Sequence, residues 1–172
     1  MFTVRPAVPA DYPAMTELLE AEDFGAHARE CSQALDGGYT LNGCWLVAVA
    51  EAGTAVVGVV HADLTIDYGD LLFNRGVKPP HTYVSAIVVD RDRRLRGIGR
   101  RLLGGITAAA AEANAGFLVL VPQDGDGANN DPAAFFEACG LVALEAHTEG
   151  VPTRYGASTA DMLRLWTSTP SL

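Results

Sequence analysis

Residues 84–103 read VSAIVVDRDRRLRGIGRRLL, a pattern that predicts a strand, a glycine turn and a helix in that order. A β-branched apolar run over 84–89 is typical of a buried strand, and apolar residues from Ile98 onward recur at helical spacing. The first turn of a helix leaves backbone N–H groups without partners at the positive end of the helix dipole. Glycines at 97 and 99 would let a ligand come close to these groups. The stretch therefore predicts a binding site for a polyphosphate.

Positive charge is concentrated in the same turn. Six of the twelve basic residues lie within 91–101, and with Asp92 this window carries +5 in a chain of net charge −9. The alternative is a charged loop that merely enters a surface helix, but such a loop does not need half of the positive charge of an acidic protein. The concentration of arginines favours the phosphate site.

Two common phosphate-binding motifs fit the turn poorly. A Walker P-loop requires Lys and then Ser or Thr after its last glycine, whereas Gly99 is followed by Arg100 and Arg101. The dinucleotide-binding fingerprint requires Gly or Ala where Leu102 stands. Both motifs are therefore disfavoured.

The pattern R-x-x-G-x-G at 94–99, directly after an apolar strand, resembles motif A of the GNAT superfamily, the acyl-CoA-dependent N-acetyltransferases. Two other stretches are similar to the same family. One is the hairpin pattern over 44–66, and the other is the segment 129–141, which resembles the family's N-x-x-A-x-x-F-Y-E-K-L-G-F. The resemblance thus spans nearly the whole chain.

The resemblance implies an α/β (α+β) fold of the GNAT type: a mixed, mostly antiparallel sheet of six to seven strands with a splayed parallel pair, flanked by about four helices. The apolar run 117–122 is itself typical of a buried parallel strand that follows a helical crossover. We expect the last two strands at 141 to about 148 and at 160–166. A chain of 172 residues that is 49% hydrophobic is expected to form one domain over 1–172.

The resemblance also implies acetyl-CoA as the co-substrate. Backbone groups of the fourth strand would hold the pantetheine arm and the thioester, N–H groups from Leu95 to Arg100 would cradle the pyrophosphate, and Asn129 matches an asparagine that commonly contacts CoA. The residues expected to bind the cofactor are Ile87, Val88, Val89, Arg94, Leu95, Arg96, Gly97, Ile98, Gly99, Arg100 and Asn129.

The chain departs from the family's pattern at two catalytic positions. The tyrosine that often protonates the leaving thiolate aligns with Phe136, and the glutamate that some members carry on the fourth strand aligns near Ser85. A thiol of pKa about 8.5 leaves readily without an acid, but an amine of pKa near 10.4 must lose a proton. Nearby substitutes are Tyr83 as a donor and His61 or His81 as a proton acceptor acting through water.

Composition limits the class of partner. The net charge of −9 and pI of about 4.7 argue against nucleic acid and are compatible with a cationic acceptor. Three widely spaced cysteines favour neither a disulfide framework nor a zinc site, and no other metal site is expected. No apolar leader or membrane-length segment is visible, so we expect a cytoplasmic protein, with a homodimer as the commonest assembly.

Three functions remain open from the sequence. The first is an N-acetyltransferase that moves the acetyl group from acetyl-CoA to a primary amine, in a small molecule or a peptide, by direct attack in a ternary complex. The second is a catalytically silent CoA- or acyl-CoA-binding module that acts as a sensor or partner protein. The third is a nucleotide-binding domain, which tight ATP binding without CoA binding would favour.

Overall fold

The computed structural model of the protein describes residues 1–37, 40–51, 55–122, 132–145, 148 and 150–167. Seven strands and six α-helices occur within these residues. The strands are β1 (Phe2–Pro6), β2 (Cys44–Ala50), β3 (Val56–Ile66), β4 (His81–Val89), β5 (Phe117–Leu120), β6 (Val142–Ala143) and β7 (Tyr155–Ser158). The helices are α1 (Tyr12–Ala21), α2 (Gly25–Leu35), α3 (Asp70–Phe73), α4 (Ile98–Glu112), α5 (Pro132–Ala138) and α6 (Thr159–Thr167).

The strands pair in the order β1-β2-β3-β4-β5-β7-β6. The pairs β1–β2, β2–β3, β5–β7 and β6–β7 are antiparallel, whereas β4 and β5 run parallel. The parallel pairing covers only residues 81–84 of β4, and residues 85–89 continue beyond the last pair. The predicted mixed sheet with one parallel pair is therefore confirmed, and the early end of that pairing agrees with the splay that the resemblance implies.

Two compact units make up the described chain. The first comprises Met1–Asp63 and Ser85–Ile106, and the second comprises Leu64–Val84 and Thr107–Leu172. Strands β3 and β4 and helix α4 each contribute residues to both units. A single domain over the whole chain stays a prediction.

The core of the first unit is formed by α1 and α2 together with the strands β2 and β3. Helical spacing along α1 and α2 places their apolar side chains on one face, and β2 contributes its alternate residues to the same cluster while both of its faces are buried. The buried residues of this core are Met15, Leu18, Leu19, Ala28, Cys31, Trp45, Val47, Val49, Val59 and Val88.

Two glycines let the first turns of α4 lie very close to the strands of the first unit. A Cβ atom on Gly58 of β3 would lie 2.9 Å from Ile98 Cγ2 and 3.2 Å from the Val88 carbonyl oxygen. A Cβ atom on Gly105 of α4 would lie 2.7 Å from a methyl group of Leu46. The missing side chains thus fix the position of the helix N-terminus relative to the end of β4.

Replacing Gly58 by Val should destabilise the protein by roughly 2 kcal/mol, because the added methyl groups overpack a contact bounded partly by rigid backbone. Gly25→Ala is the matched control, since an added Cβ there meets no described atom within 4 Å. The control should keep or slightly raise the free energy of unfolding. Urea unfolding measures both, and equal midpoints for the two variants would contradict the close approach of α4.

The second unit has its own apolar cluster around α3. Leu72 is fully buried and packs with Val119 of β5 and with Leu144, while Tyr68 and Phe117 pack against the edge of the cluster. The short helix α3 lies in the connection between β3 and β4, and its Leu72 side chain packs against β5.

The prediction of a final strand at 160–166 is wrong, because residues 159–167 form α6. The strand that precedes α6 is the short segment Tyr155–Ser158, which pairs with β5. Gly156 makes this pairing possible, since a Cβ there would lie 2.7 Å from the Leu118 carbonyl oxygen. Apolar residues at 162, 163, 165 and 166 follow the i, i+3, i+4 spacing of a helix, so the sequence pattern itself favours α6 over a strand.

Six helices within the described residues exceed the roughly four that the resemblance implies, and the additional ones are α3 and α6. None of these helices combines the length and apolarity that crossing a membrane requires. The three cysteines, Cys31, Cys44 and Cys139, are thiols and form no disulfide.

Candidate active site

The predicted phosphate-binding turn connects β4 to α4 in the first unit. A single 3₁₀ turn over Arg91–Arg93 follows β4, and α4 begins at Ile98. Leu95 and Gly97 both adopt left-handed backbone conformations, with φ of +62° and +78°. Successive residues that alternate between left- and right-handed conformations turn their N–H groups toward a common side, which is the geometry of an anion-binding nest.

The start of α4 adds further N–H donors to this turn. The Arg101 N–H donates to the Gly97 carbonyl at 3.1 Å and closes the first helical turn, in which Ile98 and Gly99 lie. N–H groups in that turn have no acceptor within the helix. A Cβ atom on Gly97 would meet no described atom within 4 Å, so the surface above the turn is open. The residues of the turn therefore fit a pyrophosphate.

Glu22 of α1 ties the turn to the rest of the first unit. Its carboxylate forms an ion pair with the Arg94 guanidinium and accepts the backbone N–H of Arg91 at 3.1 Å. The Arg94 Nε also donates to the Val89 carbonyl at 3.3 Å. The Glu22 side chain is only 6% exposed. Arg94, the first residue of the motif, is thereby held against the protein, and its contacts stabilise the conformation of the turn.

The remaining residues predicted to bind the cofactor divide into three groups. Arg96 and Arg100 are exposed on the turn, and Leu95 extends fully into solvent. Ile87, Val88 and Val89 lie on β4 beyond its last pair with β5. Asn129 lies outside the described residues.

A cluster of imidazole and hydroxyl groups surrounds Ser85, the residue predicted to align near the family's glutamate. The Ser85 Oγ is 2.6 Å from His61 Nδ1 and 3.1 Å from His27 Nε2. The His61 ring stacks on the Trp45 ring with centroids 4.2 Å apart. His27 comes from α2, His61 from β3 and Ser85 from β4, and all three belong to the first unit.

The protonation of these groups follows from one carbonyl. The Asn42 carbonyl oxygen accepts the Trp45 indole N–H at 2.8 Å and lies 3.1 Å from His61 Nε2. Since a carbonyl can only accept, His61 Nε2 carries a hydrogen, and the neutral ring must present Nδ1 as an acceptor. The Ser85 hydroxyl therefore donates to His61 Nδ1, and Ser85 Oγ accepts from His27 Nε2–H.

Gly43 makes the contact with the Asn42 carbonyl possible. Its φ is +74°, and a Cβ atom at this position would lie 2.5 Å from His61 Nε2. A side chain would therefore push the segment before β2 away from the imidazole. The sequence keeps the carbonyl on His61 by placing glycine next to Asn42.

Both imidazoles of the cluster are held neutral near pH 7. Burial lowers the pKa of His61, and the charges of Asp63 and Glu30 oppose this shift only in part. Burial likewise lowers the pKa of His27, with Glu30 again acting in the opposite direction. A neutral imidazole can accept a proton, so His61 is available as a base at neutral pH.

The lowered pKa values predict a stability change with pH. Below about pH 6.5 the unfolded chain binds protons at His27 and His61 that the folded protein does not bind, so the free energy of unfolding should fall as the pH drops from 7.5 to 5.5. The double variant His27→Gln, His61→Gln should lose part of this pH dependence. Thermal unfolding at both pH values tests this, and an unchanged pH dependence of Tm in the double variant would contradict it.

The other two predicted catalytic residues lie in the second unit. His81 is 1% exposed, and its Nδ1 accepts the Tyr68 backbone N–H at 3.0 Å. Its Nε2 therefore carries the proton of the neutral ring, and this buried atom has no hydrogen-bond partner among the described residues. Tyr83 is half-buried, with its ring centroid 5.6 Å from that of Tyr68. The described contacts thus join His81 and Tyr83 to Tyr68, and join His61 to Ser85.

Sequence reasoning missed His27, Asn42 and Trp45. His27 lies 58 residues from Ser85 in sequence, and no short motif links the two. Asn42 contributes its backbone carbonyl, so this contact does not require a particular side chain at position 42. The adjacent Gly43, Cys44 and Trp45 at the start of a strand were the only signal available, and it is a weak one.

Comparisons with known proteins agree with this fold. A family model described as the acetyltransferase (GNAT) family matches residues 12–141, and the chain belongs to this family. No curated protein sequence matches the chain significantly.

Solved structures share the fold at low identity. An aminoglycoside 6'-N-acetyltransferase complexed with coenzyme A has a TM-score of 0.69 at 14% identity, covering 91% of this chain and 97% of its own. A GNAT family N-acetyltransferase from Escherichia coli in complex with CoA has a TM-score of 0.64 at 20% identity, covering 94% and 84%. A GNAT family acetyltransferase from Brucella melitensis in complex with acetyl-CoA has a TM-score of 0.60 at 18% identity, covering 92% and 88%.

Proposed function

We propose that the protein is an N-acetyltransferase that transfers the acetyl group of acetyl-CoA to a primary amine of a small molecule or peptide by direct attack in a ternary complex. The observation that carries this proposal is the pair formed by Ser85 and His61. A neutral imidazole whose acceptor nitrogen lies 2.6 Å from a hydroxyl, at the position of the family's glutamate, supplies the proton acceptor that the silent module would not need.

The β4–α4 turn is the proposed site for the pyrophosphate of acetyl-CoA. The left-handed residues Leu95 and Gly97 and the open first turn of α4 support this placement. Structural neighbours that were solved in complex with CoA support CoA as the ligand. The proposed cofactor residues on the backbone of β4 are Ile87, Val88 and Val89. When bound, acetyl-CoA supplies an acetyl group activated as a thioester.

His61 is the proposed final acceptor of the proton that the amine loses. The imidazolium formed there would keep its hydrogen bond to the Asn42 carbonyl and lie on the face of the Trp45 ring. A carbonyl dipole and an aromatic face both stabilise a cation, which offsets part of the cost of burial. The surroundings of His61 therefore suit an imidazole that becomes charged for a short time.

The leaving thiolate needs no strong acid. Phe136 is 4% exposed and packs against Phe135 with ring centroids 5.0 Å apart, so this position offers no proton. A thiolate with a pKa of about 8.5 is a stable leaving group at neutral pH. Tyr83 stays a predicted donor.

The acceptor is proposed to be a cationic amine. The net charge of −9 favours such molecules over anionic ones, and one of the structural neighbours is named an aminoglycoside 6'-N-acetyltransferase. The reduced thiols Cys31, Cys44 and Cys139 support a reducing compartment such as the cytoplasm. A homodimer stays a prediction.

Turnover with a small amine panel tests the proposal. The purified protein is incubated with acetyl-CoA and with spermidine, kanamycin or a lysine-rich peptide, and thiol release and the acetylated product are followed together. We expect one thiol per acetylated amine and intersecting initial-rate lines. Acetyl-CoA binding with no product from any amine would instead support the silent CoA-binding module.

A further inference from the structure

We infer that Ser85 passes the proton of the acceptor amine to His61, and that His27 fixes the direction in which the Ser85 hydroxyl donates. This inference rests on the proposed function and adds the route of the proton to it. It assigns roles to Ser85 and His27. Neither of these two residues alone would replace the glutamate of the family as a base.

The direction of the relay is set by the hydrogen bonds. A serine hydroxyl has one hydrogen and two lone pairs. Its hydrogen points to His61 Nδ1 at 2.6 Å, since the other acceptor within reach, the His61 carbonyl, is 3.5 Å away. One lone pair accepts His27 Nε2–H at 3.1 Å. The second lone pair is left to accept a proton from a substrate.

The burial of His61 makes a relay necessary. His61 is 7% exposed, one face of its ring is covered by Trp45, and Nε2 is held by the Asn42 carbonyl. Its only basic nitrogen, Nδ1, already receives the Ser85 hydroxyl. A substrate amine could reach Nδ1 only by displacing Ser85, which is half-buried whereas His61 is buried.

The transfer step balances in atoms and charge. The small fraction of acceptor that is already neutral at working pH enters the step. The lone pair of this neutral amine forms the C–N bond to the thioester carbon, and the C–S bond breaks with its electron pair remaining on sulfur. The nitrogen loses one proton to Ser85 Oγ, while the Ser85 hydroxyl proton moves to His61 Nδ1. The products are the acetylated amine, the thiolate, a neutral serine and an imidazolium, which returns its proton to solvent.

His27 is a positioning residue in this scheme. It does not touch the substrate, and its Nε2–H occupies the lone pair of Ser85 that would otherwise let the hydroxyl rotate. The His27 ring is itself held edge-on against Trp45 and His61, with centroids 5.9 and 5.6 Å away. This packing keeps the donor on Ser85.

The test compares Ser85→Ala with Ser85→Thr and His27→Leu with His27→Gln, using whichever of spermidine, kanamycin or the lysine-rich peptide the wild type acetylates fastest. Ser85→Ala should lower kcat about 100-fold, whereas Ser85→Thr, which keeps the hydroxyl, should stay within about fivefold of wild type. His27→Leu should lower kcat about tenfold, and His27→Gln, which keeps an N–H donor, should restore most of it. Acetyl-CoA affinity, measured by calorimetry, should change little in all four variants.

A second readout needs no turnover. In nitrogen-15 NMR spectra of the wild type, His61 should appear as the Nε2–H form with a hydrogen-bonded Nδ1. The Nδ1 signal should shift toward that of a non-hydrogen-bonded ring nitrogen in Ser85→Ala and stay in place in Ser85→Thr. Glu30 and Asp63, the carboxylates that act on these imidazoles, are unchanged in every variant.

Three results would overturn the relay. Full kcat in Ser85→Ala would show that Ser85 carries no proton. A stoichiometric burst of thiol before any amine is added, with acetyl found on Ser85, would show that the serine is a nucleophile instead. Absence of turnover in the wild type would remove the proposed function and the relay with it, whereas loss of turnover only in Ser85→Ala would leave the proposed function standing.

Discussion

Gly97→Glu is expected to lower the affinity for acetyl-CoA by about 100-fold or more, because it places a carboxylate where the pyrophosphate should bind. Gly97 lies at the centre of the turn with φ of +78°, and the space above it is open toward a ligand. Like charges in contact cost several kcal/mol, and each 1.4 kcal/mol is about tenfold in affinity. Calorimetric titration of the variant with acetyl-CoA measures the loss.

Gly97→Asn is the matched control for the backbone. Asparagine tolerates the left-handed region better than most residues and carries no charge. Its affinity for acetyl-CoA should stay within about tenfold of wild type. If Gly97→Glu binds acetyl-CoA as tightly as Gly97→Asn does, the pyrophosphate does not lie on this turn.

His61→Gln is expected to lower kcat by on the order of 100- to 1,000-fold and to leave the affinity for acetyl-CoA unchanged. The glutamine amide can still donate to the Asn42 carbonyl in place of Nε2–H, so the local packing should survive. It has no basic nitrogen to take the proton from Ser85. Steady-state kinetics with the best amine of the panel measures kcat, and the thermal midpoint shows whether the fold is retained.

His81→Asn is the corresponding control. Its side-chain oxygen can replace Nδ1 as the acceptor of the Tyr68 N–H, so the contact seen in the second unit is kept. Because the described contacts of His81 leave no accessible basic nitrogen, we expect kcat within about fivefold of wild type. A kcat loss in His81→Asn as large as that in His61→Gln would instead make His81 the base.

The parts of the fold that the sequence predicted are those with local signals. The strand, turn and helix over 84–103 depend on residue spacing and on Gly97, which requires a left-handed backbone. The antiparallel pairing of β2 and β3 follows from two β-branched runs that are separated in the sequence by a few residues including a glycine. Such features are set by residues that are near neighbours in sequence, so they are visible without a structure.

The proton-transfer cluster could not be predicted in the same way. In the sequence, Ser85 stands out only because it takes the place of a glutamate. The ability of its hydroxyl to pass on a proton depends on His27 and His61, which come from other elements. The tautomer of His61 that leaves Nδ1 as an acceptor depends on the backbone carbonyl of Asn42, and every residue carries such a carbonyl. The position of Glu22 under Arg94, 72 residues away, likewise has no sequence signal.

The segment after residue 154 was difficult to predict for a different reason. Residues 155–158 form a strand that is too short to give a clear alternation of apolar and polar residues. Gly156 within it is a residue type that disfavours a strand. The role of Gly156 becomes visible only when the Leu118 carbonyl and the Phe117 ring are placed beside it. The wrong strand at 160–166 is a separate case, because the apolar residues at 162, 163, 165 and 166 follow helical spacing and favour the helix that is present.

The most direct test of the account is a calorimetric titration of the wild-type protein with acetyl-CoA, CoA and ATP. We predict that acetyl-CoA and CoA bind with dissociation constants on the order of micromolar and that ATP binds far more weakly, because the turn lacks the lysine of a P-loop. Tight binding of ATP without binding of either CoA species would contradict the account. It would mean that the β4–α4 turn recognises a nucleotide and that the acetyltransferase proposal is wrong.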